Sequence, residues 1–278
     1  MAVHGGLRSD MGLEMKSYPF RIFIGYDPRE AIAYHVLEHS IRKHSSIPLA
    51  ITPLSRNNLL PIFTRPKLAN ESTEFSFSRF LVPYLCGYKG FALFMDCDML
   101  FRADVAEIAE QCHPVSSWYR SVLCVQHNYE SSVSTKFLGA TNESYPRKNW
   151  SSLMLFNNMR CRKLTPEVVN EATGPYLHRM QWTTDDQVGE LGREWNHLVG
   201  EYAPDPNAKN YHYTLGGPYF PEYDGCEGSD EWWENFMEMI YAETSGLGSA
   251  APEIRLLAGN AGKRPFRFNP RGLAEAAD

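Results

Sequence analysis

The sequence lacks any apolar run approaching the roughly 18 residues that a membrane-spanning helix needs. It also lacks an excess of positive charge. Its 278 residues carry 27 Lys and Arg against 33 Asp and Glu, a formal net charge of -6. Nucleic-acid binding draws on a basic surface, so no nucleic-acid partner is expected. Cysteine is sparse and scattered, at positions 86, 97, 112, 124, 161 and 226, with no C-x-x-C pair. That spacing argues against a structural zinc site and for reduced thiols in a cytoplasmic protein. The first 20 residues have no apolar core of the signal-peptide kind and read as a flexible leader. There is no internal repeat, no low-complexity tract, and no linker rich in Gly, Ser or Pro. The remaining composition, 43% hydrophobic and 22% charged, is that of a globular chain with a large core. One domain is expected over 20–260, following a leader at 1–19 and preceding a tail at 261–278.

The elements alternate. "FRIFIGYD" (20–27) is a short apolar run with strand composition. In "DPRE", Asp27 is suited to cap a helix, Pro28 to open it, and Glu30 to complete a capping box. The helix runs to about His44, with Ile32, Val36, Leu37 and Ile41 on one face. "LAITPL" (49–54) is a second strand, so the chain opens with a β-α-β unit and a parallel sheet is expected. A helix is predicted over 75–87, a buried strand in "GFALFMDCDMLF" (90–101), and a helix from Asp104 to about Gln111. Further strands are predicted at 121–129, 151–158 and 195–202, and helices at "TPEVVNEA" and "TTDDQVGELG". The fold class is α/β: one Rossmann-like domain with a mainly parallel central sheet flanked by helices. Its first half, about 20–110, is nucleotide-binding and its second, about 111–260, faces an acceptor. The polar, turn-rich segment between the strands at 121–129 and 151–158 is a candidate acceptor loop.

The chemistry concentrates where the buried strand ends in Asp96-Cys97-Asp98. On an extended chain, residues two apart face the same side. Two carboxylates so placed repel, and a divalent cation between them removes the repulsion. His212, in "NYHYTLGGPYF", is the best third ligand, with His127 and His197 as rivals. Gly216 and Gly217 would let backbone approach a phosphate closely. Arg79 offers a planar fork suited to a diphosphate. Asp186 and Gln187 stand at a helix start from which they could face a reacting sugar.

In order along the chain, "RIFIGYD", "SRFLVPYLCGYKGFALFMDCDMLFRADVAEI", "SSLMLFNN", "DDQ" and "HYTLGG" resemble the retaining glycosyltransferases of family eight, the glycogenin-like and galactosyltransferase-like enzymes of GT-A fold. The resemblance spans about residues 20–220. It implies that Asp96, Cys97 and Asp98 form the Asp-x-Asp stretch that holds Mn²⁺ (or Mg²⁺) on the donor's diphosphate. It implies that His212 is the late metal ligand, and that Ile24, Gly25, Tyr26 and Asp27 dock the base and ribose. Arg79 and the Gly216-Gly217 backbone would meet the diphosphate, and Asp186 and Gln187 would flank the donor sugar. The implied reaction is transfer of a hexose from a UDP-sugar to a saccharide or other hydroxyl acceptor, with retained configuration. Two departures stand out. The family's lysine after the histidine is absent from "GGPYF", leaving Lys209 or the Gly-Gly backbone to replace it. "RKNW" (147–150) also stands where the family carries a Phe-Asn-Ser/Ala-Gly run. A non-catalytic nucleotide-sugar-binding protein of the same fold is the alternative. A haloacid-dehalogenase-type phosphohydrolase fits less well, because the Asp-x-Asp lies mid-chain and is followed by Met99-Leu100.

Overall fold

The computed structural model describes residues 18–242 apart from 68–70, 132, 137, 138, 140, 141 and 143. The leader expected at 1–19, save residues 18 and 19, and the tail expected at 261–278 lie outside the described residues.

The apolar runs read as strands build one six-stranded sheet. In chain order the strands are β1 (Phe20–Tyr26), β2 (Leu49–Ser55), β3 (Phe91–Met95), β5 (Val122–Cys124), β6 (Leu153–Asn157) and β7 (Val188–Glu190), arranged β2-β1-β3-β6-β5-β7. The pairs β1–β2, β1–β3 and β5–β7 are parallel, and β6 runs antiparallel between β3 and β5. The mainly parallel α/β sheet is therefore as expected. Pro53, which cannot donate to a ladder, is tolerated because β2 is the sheet edge. All five residues of β6 are buried, so its sequence carries no alternation from which a direction could be read.

A second sheet was not anticipated. Short strands β4 (Met99–Phe101), β8 (His197–Leu198) and β9 (Asn210–His212) form it in the order β4-β9-β8. A second apolar cluster, containing Val36, Leu100, Tyr211, Tyr213 and Trp232, joins it to the helices Ala31–His44 and Ser229–Ala242. Lys43 and Glu238 tie those two helices across a 2.6 Å ion pair.

Several expectations need correction. The predicted helix at 75–87 is a 3₁₀ turn, Ser78–Leu81, followed by the short helix Val82–Leu85. Phe75, Phe77, Phe80, Leu81 and Val82 are all buried, so no solvated face supports a longer helix. "TTDDQVGELG" is a 3₁₀ turn, Asp185–Gln187, leading into β7. A Cβ at Gly189 would come 3.0 Å from the Leu123 side chain, a close strand-to-strand approach rather than a helix face. Asp27 does cap the helical turn, accepting from Arg29 N at 3.0 Å. Glu30 does not complete a capping box. Its side chain is buried and accepts from the Tyr219 hydroxyl at 2.7 Å.

Candidate metal and nucleotide site

Met95 closes β3 in the large sheet and Met99 opens β4 in the small one, so Asp96-Cys97-Asp98 is the crossing between the two sheets. The chain bends at Cys97 and Asp98, and Cys97 is fully buried. The carboxylates converge through this bend, not through the alternation of one continuous strand. Asp96 N donates to Ser152 O at 2.8 Å, which anchors it to the large sheet. Asp98 O accepts from Tyr213 N at 2.8 Å, which anchors it to the small one. His212 arrives because β9 pairs antiparallel with β4 and sets His212 opposite Met99. One ligand atom from each of Asp96, Asp98 and His212 lies within 4.8 Å of the others.

The imidazole is oriented by a hydrogen-bond chain whose direction is determined at its far end. Ser152 Oγ donates to the Asn149 carbonyl, which can only accept (2.7 Å). Ser152 Oγ therefore accepts from Asn196 Nδ2 (2.8 Å), and Asn196 Oδ1 faces His212 Nδ1 (2.9 Å). In the neutral imidazole the proton belongs on Nδ1, and the Nε2 lone pair is then turned toward Asp98 Oδ1, 3.4 Å away. Asn196 and His212 are both buried. Asp98 Oδ1 is a buried oxygen with no hydrogen bond, and the buried Asp96 Oδ1 meets only the Arg79 guanidinium, 2.8 Å away. An imidazole lone pair and two carboxylates converging within 4.8 Å fit a divalent cation, for which oxygen and imidazole ligands suit Mn²⁺ or Mg²⁺.

Burial pushes the Asp96 carboxyl up to about 6, against the opposing effect of Arg79 and with the help of Asp98. Burial works in the same sense on Asp98, but the charge and hydrogen bond of a protonated His212, together with a backbone hydrogen bond and Lys136, outweigh it and leave Asp98 below the usual carboxylate range. Lys136 lowers both carboxyls. That lysine, in the polar segment between β5 and β6, was missed by the sequence reading because no motif marks it. Asn196 was missed for the same reason. Glu30, also within electrostatic reach of Asp98, is raised to about 8, chiefly by burial.

Arg79 is not a solvated helix charge. It is buried against the rings of Phe75 and Phe94. Its Nη1 lies 2.8 Å from Asp96 Oδ1 and donates a 2.8 Å hydrogen bond to Ser151 O. At the neighbouring strand end, Ile24 is level with Met95, so Gly25, Tyr26 and Asp27 leave the sheet beside the aspartates. Gly25 is required because a Cβ there would lie 2.3 Å from the Phe75 ring. The buried Asp27 carboxylate is already engaged by Arg29 N, Nε and Nη2 and by Glu74 N.

Other candidates are committed elsewhere. Added Cβ atoms at Gly216 and Gly217 would meet the rings of Tyr223 and Tyr219, and Gly216 also sits at φ 149°, so packing and backbone conformation account for both glycines. His197 turns to Glu227 (3.1 Å), and His127 Nδ1 lies 2.8 Å from the Tyr202 hydroxyl, outside the cluster. Lys209 is paired with Glu107 at 2.5 Å. Asp186 and Gln187 are not brought to the cluster. Gln187 O accepts from Ser121 N, Ser121 O accepts from Asn157 N, and Asn157 is level with Phe91 at the start of β3. At about 3.3 Å per strand residue, that is on the order of 16 Å from Asp96 along the sheet alone. The Gln187 amide oxygen accepts from Ser121 Oγ (2.7 Å) and Thr183 Oγ1 (3.1 Å), and Asp186 is exposed.

No family model matches the chain. It is 46% identical over 223 residues to "Protein CDI" of Arabidopsis thaliana, covering 77% of this chain and 85% of that protein. Among solved structures it is similar to the apo form of the bifunctional glycosyltransferase WbbM, at a TM-score of 0.51 and 17% identity over 80% of this chain. It is equally similar in fold to the glycosyltransferase GlyE of Streptococcus pneumoniae TIGR4, at 0.51 and 14% identity over 82% of this chain. The chain spans 51% of the WbbM chain and 64% of the GlyE chain. The fold is thus a GT-A-like glycosyltransferase fold. Among the described residues no helix is long and apolar enough to cross a membrane.

Proposed function

The chain belongs to the family of Protein CDI of Arabidopsis thaliana, and we propose that it is a metal-dependent glycosyltransferase. It moves a hexose from a nucleotide-diphosphate sugar, with uridine diphosphate the expected nucleotide, to a hydroxyl of a saccharide or other acceptor, with retention at the anomeric carbon. The observation that carries this reading is the convergence of Asp96, Asp98 and His212 at the carboxyl end of β3. In open α/β sheets, ligands bind at that end. A divalent cation held there would supply Lewis-acid stabilisation of the charge that builds on the departing diphosphate.

The chain's own residues do the remaining work. The end of β1, at Ile24, Gly25 and Tyr26, lies beside the aspartates and takes the nucleoside. Asp27 acts indirectly, by holding the turn at Arg29 and Glu74 against that strand end. Arg79 keeps a fixed positive charge behind Asp96, where preorganised charge stabilises a developing anion without reorganising. Buried, unpaired thiols support a reducing, cytoplasmic compartment.

The test is nucleotide release from a panel of nucleotide sugars, with Mn²⁺ and with a strong chelator. Metal-dependent release from a UDP-sugar is expected, and full release in the presence of chelator would end the reading. A second reading, a binding protein that does not transfer, is favoured by one observation. Asp186 and Gln187, the pair implied to flank the sugar, stand far from the cluster. Nucleotide binding without any release of sugar would select it.

A further inference from the structure

Two arginines stand apart from the metal cluster, in an open cleft of 420 Å³ lined by Pro146, Arg147, Arg179, Gln181, Thr183 and Asp185. That size lies within the roughly 300–1,000 Å³ of small-molecule sites. No residue assigned above to the metal or the nucleotide lines it. The lining is polar, and its two guanidiniums outnumber its one carboxylate.

The two arginines are held differently. Arg147 is fixed on several sides. Its Nη1 donates to the Arg179 carbonyl at 2.8 Å, its Nη2 reaches Asp185 Oδ1 at 2.6 Å, and its guanidinium carbon lies 5.0 Å from the centre of the Trp150 ring. Its backbone sits at φ 61°, a conformation that is costly for a residue with a Cβ and recurs at functional sites. Arg179 directly follows the helix Gly174–His178. The turn after it places Met180 at φ 56° and returns Gln181 N to Tyr176 O at 2.9 Å. Helix endings of that kind usually take glycine at the left-handed position. This turn sets Arg179 and Gln181, on either side of Met180, along the cleft.

Arg179 Nε is buried without a hydrogen bond, and the guanidinium has no ion pair among the described residues. A buried donor left unmade is costly, and an anion in the cleft would satisfy it. Asp185 holds Arg147 only loosely. Its side chain is 86% exposed, and an ion pair so open to water contributes little. The Thr183 hydroxyl donates to Gln187 Oε1 (3.1 Å), which leaves its oxygen as an acceptor.

We propose that this cleft binds a sugar-sized anion. Arg147 and Arg179 grip its phosphate or carboxylate, whose oxygens match planar guanidinium forks. Gln181 and Thr183 meet its hydroxyls, and Asp185 competes with the ligand for Arg147. The inference does not depend on the glycosyltransferase reading.

The test is calorimetric titration of the full chain, in metal-free buffer, with glucose 6-phosphate, glucuronate, inorganic phosphate and glucose. At least one of the two sugar anions should bind more tightly than glucose and than inorganic phosphate. The tighter of the two identifies the oxyanion as a phosphate or a carboxylate. Arg179→Gln should weaken that binding by roughly tenfold or more, the scale of a lost charge-assisted hydrogen bond. Asp185→Asn should strengthen it severalfold, because the competing carboxylate has gone, and its exposed position leaves folding unaffected. Residues that serve only the fold would not shift affinity in opposite directions. Should Arg179→Gln fail to fold, Arg147→Lys, which keeps the charge and loses the fork, takes its place and should likewise weaken binding. The proposal is overturned if neither sugar anion binds, if glucose or inorganic phosphate binds as tightly, if the arginine variant binds the anion as well as the parent does, or if Asp185→Asn brings no gain.

Discussion

The two sheets differ in how they are made, and the site lies where they meet. The large sheet is built from apolar runs whose residues are buried almost regardless of face, such as Phe91–Met95 and Leu153–Asn157. The small sheet consists of strands of two or three residues held largely by backbone pairing and one aromatic cluster. The large sheet supplies Asp96, and the small one supplies Asp98, His212 and, beside β8, Asn196. The lesson is that the Asp-x-Asp stretch acts as a hinge between two frameworks. Each framework brings one carboxylate, and only the weaker one brings the imidazole.

The most severe way to break this junction is Asp98→Asn. An amide in that position keeps the shape but replaces an anionic ligand with a neutral one. Metal-dependent nucleotide release should fall by about a thousandfold or more, the scale seen when a major charge-stabilising group is removed. The circular dichroism spectrum should be unchanged, because both sheets keep their backbone pairing. Retained metal-dependent turnover in this variant would mean that the small sheet contributes no anionic ligand.

Glu30 tests the junction through stability. It starts from the β1 side and meets Tyr219, which follows the small sheet. Its folded-state pKa, about 8, lies above the ordinary glutamate value, chiefly because of burial. A group raised in this way favours the folded state most at pH values below its unfolded pKa, and that contribution fades as pH rises through about 8. Glu30→Gln removes the titration while keeping an acceptor for Tyr219. It should be more stable than the parent at pH 8.5 by on the order of a few kcal/mol. The two proteins should converge near pH 4. Denaturant titrations at the two pH values measure this, and a difference that does not change with pH would remove Glu30 from the account.

The large sheet was legible because burial writes itself into a sequence as apolar runs, and the Asp-x-Asp after Phe91–Met95 was legible for the same reason. The small sheet was not. Two-residue and three-residue strands carry no measurable alternation, and their pairing is set by tertiary contact. His212 was found by its neighbours in the chain, yet the reason it reaches Asp98, pairing of Asn210–His212 with Met99–Phe101, has no local signal. The helix Ser229–Ala242 was also passed over, although Trp232, Trp233, Phe236 and Met239 recur at helical spacing. The Asp186–Gln187 turn was misread as a helix start because acidic residues before an apolar pair are common at helix N-termini, whereas here they precede a strand.

Asn196 offers a milder break. Replacing it with leucine leaves Asp96, Asp98 and His212 in place but removes the acceptor that keeps the proton on His212 Nδ1. Loss of such an outer partner typically weakens metal binding by about 10- to 100-fold. It should also cost about 1–3 kcal/mol of stability, because buried Ser152 and His212 lose a partner. Mn²⁺ titration and thermal melting separate the two effects. Unchanged Mn²⁺ affinity together with a lowered melting temperature would reduce Asn196 to a packing residue.

The smallest expected effect sharpens the comparison by probing the end of the large sheet that faces away from the junction. Asp186 is exposed at the amino end of β7, and Gln187 beside it spends its amide oxygen on Ser121 and Thr183. If the reacting groups gather only where the sheets cross, Asp186→Ala should change UDP affinity in the presence of Mn²⁺ by less than about threefold, which is under 1 kcal/mol. Nucleotide release should change by a similarly small factor, since exposed substitutions away from packed or charged partners seldom exceed about 0.5 kcal/mol. A large fall in release with unchanged UDP affinity would show that the far end of β7 comes to the donor sugar during turnover. The site would then extend beyond the junction, and the pair implied by the family resemblance would regain its role.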